Sequence, residues 1–264
     1  MSSDGPVDAP TQPERRMLWL FVGHVVVGVT TALVTQLVGH FPRQWGYAFV
    51  GLIFGQTSLL GIWCGLGTKP WWMRMAGGMI GIGCLSLLLS LGVDEWDLTI
   101  PIVVGMAASV VVFVLLIVRS FRVVIHQVSQ PITMTTRIQF SIRHLMVLTL
   151  VIACLVSIGR FLQPFLPHGD SWFRLLLFAV TGGIVGILPV WFVLATNRPV
   201  RYGVGVIAAG GFAGYWIGRF DMFHEGIWMT LTTSEALAVV VSLLVVRSCR
   251  YRLVRLSPHS LKKA

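Results

Sequence analysis

The sequence predicts an all-α integral membrane protein: a polytopic helix bundle of about eight transmembrane helices, built as two tandem four-helix repeats in parallel orientation. Three observations lead there. The composition is 55% hydrophobic and 11% charged, with a mean hydropathy of +0.81, whereas a soluble domain carries about 25% charged residues. Apolar runs of the length that crosses a bilayer recur along the chain, about 20 residues at about 1.5 Å rise against a hydrocarbon core of about 30 Å. The two halves of the chain also resemble each other at one constant shift in numbering, the shift that lays Arg119 on Arg247.

The runs cover residues 17–38, 45–67, 71–93, 99–118, 145–165, 172–196, 202–220 and 227–246. The seventh is short and crowded with glycine. Residues 1–16 read as a disordered cytoplasmic tail and not as a signal peptide, because no basic region precedes the first apolar run and no small-residue cleavage site follows it. Residues 17–118 form the first repeat, 119–144 a basic cytoplasmic linker, 145–246 the second repeat and 247–264 a basic cytoplasmic tail.

Lys and Arg near membrane segments are retained on the cytoplasmic side, and this rule fixes the threading. With eight spans and both termini inside, sixteen of the twenty basic residues lie inside, and only Arg43, Arg160, Arg174 and Arg219 lie outside. Omitting the seventh span would reverse the C-terminal charges. The net charge of +10 therefore reads as orientation and as contact with anionic lipid headgroups at the cytoplasmic face, not as a nucleic-acid surface. Cys64, Cys84 and Cys154 fall within spans and Cys249 at the inner end of the last, which suggests neither a disulfide framework nor a thiolate metal site.

The repeat rests on the polar matches. Shifting by 128 lays residues 111–122 on 239–250 with eight identities in twelve, among them Arg119 on Arg247, Ser120 on Ser248 and Arg122 on Arg250. Arg15 meets Arg143, His40 meets His168, Trp63 meets Trp191 and Thr68 meets Thr196. An even number of spans per unit inserts both halves the same way up, so a pseudo-twofold axis runs along the membrane normal. Gly77 and Gly81, and Gly210, Gly214 and Gly218, stand four apart. Such spacing lets helix backbones approach closely in lipid, which places the third and seventh spans centrally. The glycine-spaced stretch 203–208 lacks the preceding strand that a dinucleotide site needs.

Residues 139–160, through Phe140, Ser141, Arg143 and Leu145, resemble an F-S-[IL]-R-x-L element that precedes a membrane helix in uncharacterised planctomycete multi-pass membrane proteins. The resemblance implies a membrane-inserted segment and a bacterial lineage, hence the cytoplasmic (inner) membrane, and carries no activity with it. Read from the residues alone, Arg143 and His144 mark the cytoplasmic entrance of the fifth span.

Glu235 is the one acid placed deep in a span, eight residues in, or about 12 Å from its outer end. An ionised carboxylate at that depth costs at least a few kcal/mol, so it is protonated, paired or facing water. The depth-matched partner is Gln56, with Thr57, Ser58, Thr232 and Ser234 at similar depth; His24 lies nearer the inner face. At the offset of 128, Glu235, Gln56 and His24 become Ala107, Ile184 and Ile152. One reading makes Glu235 a proton- or cation-responsive group in a transport path, and the other a neutral acid that fixes helix register through Gln56 or a threonine.

The outer loops gather Asp94, Glu95, Asp97, Asp170, Asp221 and Glu225 with His40, His168 and His224. Asp221, His224 and Glu225 have ligand types that suit zinc or manganese, but their spacing matches no metal motif, and solvated acidic loops opposite a basic face are the better account. No HExxH, G-x-S-x-G, P-loop or paired intramembrane aspartate occurs, so neither a catalytic residue nor a cofactor is assigned. Two functions follow: a small carrier or ion-coupled permease with a polar site near the midplane, or a non-catalytic subunit or scaffold that packs against partner membrane proteins or a second copy. They differ in whether Glu235 and Gln56 face a wet cavity or a dry helix contact.

Overall fold

The computed structural model describes residues 12–37, 43–91, 99–120, 123–127, 171–220 and 225–255. In chain order these form α1 (Gln12–Leu37), α2 (Arg43–Leu66), α3 (Trp71–Leu91), α4 (Thr99–Ser120), β1 (Val123–Gln127), α5 (Ser171–Leu194), α6 (Pro199–Phe220), α7 (Glu225–Ser248) and β2 (Tyr251–Arg255). Helices dominate because lipid offers no partner to a backbone amide, so each segment must satisfy its own. Hydroxyl side chains follow the same logic by bonding back one turn: Thr57 Oγ1 donates to the Ile53 carbonyl at 3.0 Å and Ser90 Oγ to that of Ser86 at 2.9 Å.

Four helices, α2, α3, α4 and α7, are long and apolar enough to cross a membrane. α1 and α5 contain shorter apolar stretches, Trp19–Thr30 and Val180–Leu194, and glycine-rich α6 is not among the four. The fifth expected span, 145–165, lies outside the described residues. The tail expected through residue 16 is already helical from Gln12.

The centre of the bundle is α2 with α7, not the α3 and α6 that the glycine spacing pointed to. Of the apolar window of α2, 67% is buried inside the bundle, against 28% for α3. The reason is a second glycine series. A Cβ at Gly51 would strike the Leu231 carbonyl and the Ser234 hydroxyl, one at Gly55 would meet Ala238 Cβ at 2.6 Å, and one at Gly61 would meet Val111 at 2.8 Å. Glycine at these positions lets α2 lie against α7 and α4 at once. Gly210 and Gly214 do bring α6 onto α7, where Thr232 Oγ1 donates to the Gly210 carbonyl at 2.8 Å, and Gly218 is buried too. Gly77 and Gly81 instead receive the side chains of Trp63 and Leu60.

Arginines close the helix ends. Arg74 Nη1 donates to the carbonyls of Cys64 and Gly65, and Arg119 Nη1 to those of Gly65 and, at 2.6 Å, Gly67. Arg247 Nη1 donates to the Val193 carbonyl at the end of α5. The last carbonyls of a helix have no intrahelical donor and carry the negative end of its dipole, so a cation there is doubly suited.

The stretches expected to be plain basic linker and tail are partly strand, a two-stranded addition to the helices among the described residues. β1 and β2 pair antiparallel, with Val123 opposite Arg255, Ile125 opposite Leu253 and Gln127 opposite Tyr251. Arg250 makes the turn into β2 with φ 67°, a left-handed conformation that costs a non-glycine residue about 1 kcal/mol.

The element boundaries recur when 128 is added to each residue number. α2 maps onto α5 and β1 onto β2 with no discrepancy at either end, and α3 onto α6 and α4 onto α7 within two residues. The main buried cluster contains Ile62 with Val190, Leu66 with Leu194, Val111 with Val239 and Leu115 with Leu243, all four pairs related by the same shift.

Candidate functional site

Glu235 is fully buried in α7, where that helix meets α2 and α5. Ser58 Oγ donates to its Oε1 at 3.0 Å, and Oε2 has no partner among the described residues. A Cβ at Gly182 of α5 would lie 3.3 Å from Oε2, so the carboxyl occupies the space that this glycine leaves. No cation pairs with the acid among the described residues.

Gln56 is not the partner of Glu235, although it matches in depth. Its Nε2 donates to the His24 carbonyl at 3.1 Å, joining α2 to α1. The remaining expected members disperse similarly. Thr57 bonds its own helix; Ser234 bonds the Thr230 and Leu231 carbonyls and faces Gly51; Thr232 bonds Trp228 and, across the interface, Gly210. Of the seven residues grouped by depth, the structure thus joins Glu235 with Ser58 and Gln56 with His24.

The second pair belongs to a separate site. His24 Nε2 lies 2.9 Å from Ser242 Oγ of α7, two turns nearer the C-terminal end than Glu235. Around them a cavity of about 650 Å³ opens between α1, α2 and α7, lined by Leu20, Val27, Leu52, Leu237 and Val241 among others, with Arg16 and Ser248 at one end. Ser242 escapes a sequence reading centred on the depth of Glu235; its signal is its depth match to His24. Gly182 escapes it because only its position on a neighbouring helix makes it relevant.

Asp221 and His224 lie outside the described residues, as do Asp94, Glu95, Asp97, Asp170, His40 and His168, and Glu225 opens α7. Among the described residues no group of three His, Cys, Asp or Glu side chains is placed to hold a metal ion. The chain matches no family model, no curated protein and no solved structure.

Proposed function

We propose that this chain is a non-catalytic protein of the bacterial cytoplasmic membrane, made of two like-oriented four-helix halves with both termini inside, that works as a subunit or scaffold and not as a solute carrier. The observation that carries the functional part is the separation of the polar groups. A coupled permease needs its ionisable group and its solute ligands to converge on one wet path, whereas Glu235 is sealed against Ser58 and Gly182 and Gln56 turns to a different cleft.

The two-half architecture and its eight spans draw support from the boundaries that recur under the shift of 128 and from the contacts across the halves. Ser58 and Gly186 are related by that shift, and a Cβ at Gly186 would meet Ser58 Cβ at 2.7 Å. Gly55 faces Ala238 while Gly183 faces Val110, which is one contact made twice with the halves exchanged. Ile125 opposite Leu253 is again a residue facing its own counterpart. Self-facing positions mark a twofold axis, and these lie at mid-helix and beyond the helix ends, along the bundle. The sidedness rests on the end that gathers Arg16, Lys69, Arg74, Arg119, Arg198, Arg201, Arg247 and Arg252.

A carrier is the second reading, favoured by Oε2 of Glu235, which has no partner among the described residues and has room in its chemistry for a proton or a second donor. Proteoliposomes holding the purified chain and a pH-sensitive dye separate the two. A subunit leaks protons no faster than empty vesicles under an imposed pH gradient; flux above that level, abolished by Glu235→Gln, makes the chain a carrier.

A further inference from the structure

Cations gather where α2 turns into α3, and no anion matches them among the described residues. Arg74 of α3 is only 3% exposed. Its Nη1 donates to the Cys64 and Gly65 carbonyls, and its Cδ would meet a Cβ at Gly67 at 3.1 Å. Arg119 reaches the same turn from α4, its Nη1 donating to the carbonyls of Gly65 and Gly67. The two arginines thus share one oxygen, Arg74 Nη1 at 3.2 Å and Arg119 Nη1 at 3.3 Å, and those nitrogens lie no further apart than the two lengths end to end. Lys69 stands exposed in the turn itself.

Capping a helix end explains only one of these charges. Adding 128 to each number turns Arg119 into Arg247 and Gly65 into Val193, and Arg247 Nη1 donates to the Val193 carbonyl, so α5 ends on the same contact. Arg74 becomes Tyr202, an exposed residue, and no buried arginine of α6 stands there. The carbonyls do not satisfy Arg74 either, since its buried Nε has no partner among the described residues. Two adjacent cations, one of them buried, are held at low cost where an anion compensates them, and an orphaned buried donor marks a partner not yet counted. The chain is poor in candidates: no Asp or Glu occurs between Glu14 and Asp94 or between Asp97 and Asp170. Trp71 and Trp72 open α3 beside the turn, both exposed. Exposed Trp next to Lys and Arg is the pattern of a headgroup boundary, where the abundant anion is a lipid phosphate.

We propose that the α2–α3 turn and Arg119 form a binding site for one phosphate group of an anionic molecule, a lipid headgroup by the evidence of the two tryptophans. Arg119 and Lys69 are its direct ligands, and the buried Arg74 adds its charge behind them. A guanidinium fork suits phosphate oxygens, and an ammonium adds a point charge. The site rests on the membrane placement of the bundle and not on its being a scaffold or a carrier, and it shares no residue with the Glu235 contact.

The test titrates the full chain in mild detergent with phosphatidylglycerol and with phosphatidylcholine, read by native mass spectrometry. One phosphatidylglycerol binds per chain, about 10-fold more tightly than phosphatidylcholine, the size of one charge-assisted hydrogen bond. Arg119→Gln removes that preference. Lys69→Gln, exposed and outside every helix, weakens phosphatidylglycerol about 5-fold and keeps the test decisive if Arg119→Gln does not fold. Arg201→Gln, which removes the same charge from an exposed position at the start of α6, changes nothing. Displacement of the lipid by millimolar inorganic phosphate assigns the site to a soluble phosphate, and persistence of the lipid assigns it to the headgroup; the phosphate site stands in both. Equal affinity for the two lipids with no binding of inorganic phosphate overturns it, as does an equal loss in Arg201→Gln and Lys69→Gln, which is the signature of diffuse charge. A gain in lipid affinity when Asp4, Asp8 and Glu14 are all neutralised also overturns it, because the chain's own carboxylates then fill the place.

Discussion

Positions 54 and 107 become 182 and 235 when 128 is added to each, and the structure treats these two places in opposite ways. In the first, Phe54 packs with Ala107 and Val104, and Ile82 and Leu89 of α3 close around them. In the second, Gly182 yields its volume to Glu235, while Gly210 and Gly214, the counterparts of Ile82 and Ser86, draw α6 onto α7 until backbone meets side chain. Gly210 and Gly214 thus let α6 close on α7, while Gly182 leaves room for the carboxyl. The Glu235 carboxyl thus lies beside a glycine, where Ala107 lies beside a phenyl ring.

The comparison breaks most sharply where one residue is installed at two equivalent positions. Gly214→Ala drives a Cβ into the Trp228 carbonyl and the Thr232 hydroxyl, so it costs about 3 kcal/mol through forced separation of α6 and α7. Ser86→Ala adds no atom at the corresponding place and costs under about 1 kcal/mol. Denaturation of both variants in the same detergent decides it, and equal losses would dissolve the contrast.

A smaller effect tests Glu235 itself. Ser58→Ala removes the only donor the carboxyl has among the described residues and destabilises by about 1 kcal/mol, the scale of interhelical hydrogen bonds in membranes. Repeated on a Glu235→Leu background the same change should cost nothing, and a double-mutant cycle that returns no coupling would mean that the carboxyl is held by something else.

The smallest difference lies at the helix ends. Arg119 serves the carbonyls of Gly65 and Gly67 and Arg247 that of Val193, so Arg119→Met should lower stability by about 0.5 to 1 kcal/mol more than Arg247→Met. Thermal unfolding of the two single variants orders them.

Several features can be read without a fold. Runs of apolar residues announce the helices, and clustered Lys and Arg announce that one end of the bundle is basic. Glu235 stands out because no other acid lies so far inside an apolar run. Two failures have local causes. The β1–β2 pair reads as linker and tail because Val123–Gln127 and Tyr251–Arg255 are short, mixed in polarity and meaningful only beside each other. The central role of α2 escapes notice although Gly51, Gly55, Gly61 and Gly65 echo the four-residue spacing seen elsewhere.

What the amino-acid sequence determined by itself is whatever depends on one segment at a time: its length against the bilayer, its hydropathy, the charge at its ends and its likeness to the segment at the shifted position. Depth belongs to that set, and depth put Glu235, Gln56 and Ser58 on one level. Direction does not. Each residue turns a helix by about 100°, so Gln56 and Ser58, two apart, point to nearly opposite sides of α2, one toward α1 and the other toward Glu235. Which side met which neighbour was decided only by tertiary packing, through glycines that let α7 approach one face of α2 and left the other face to α1 and an open cleft.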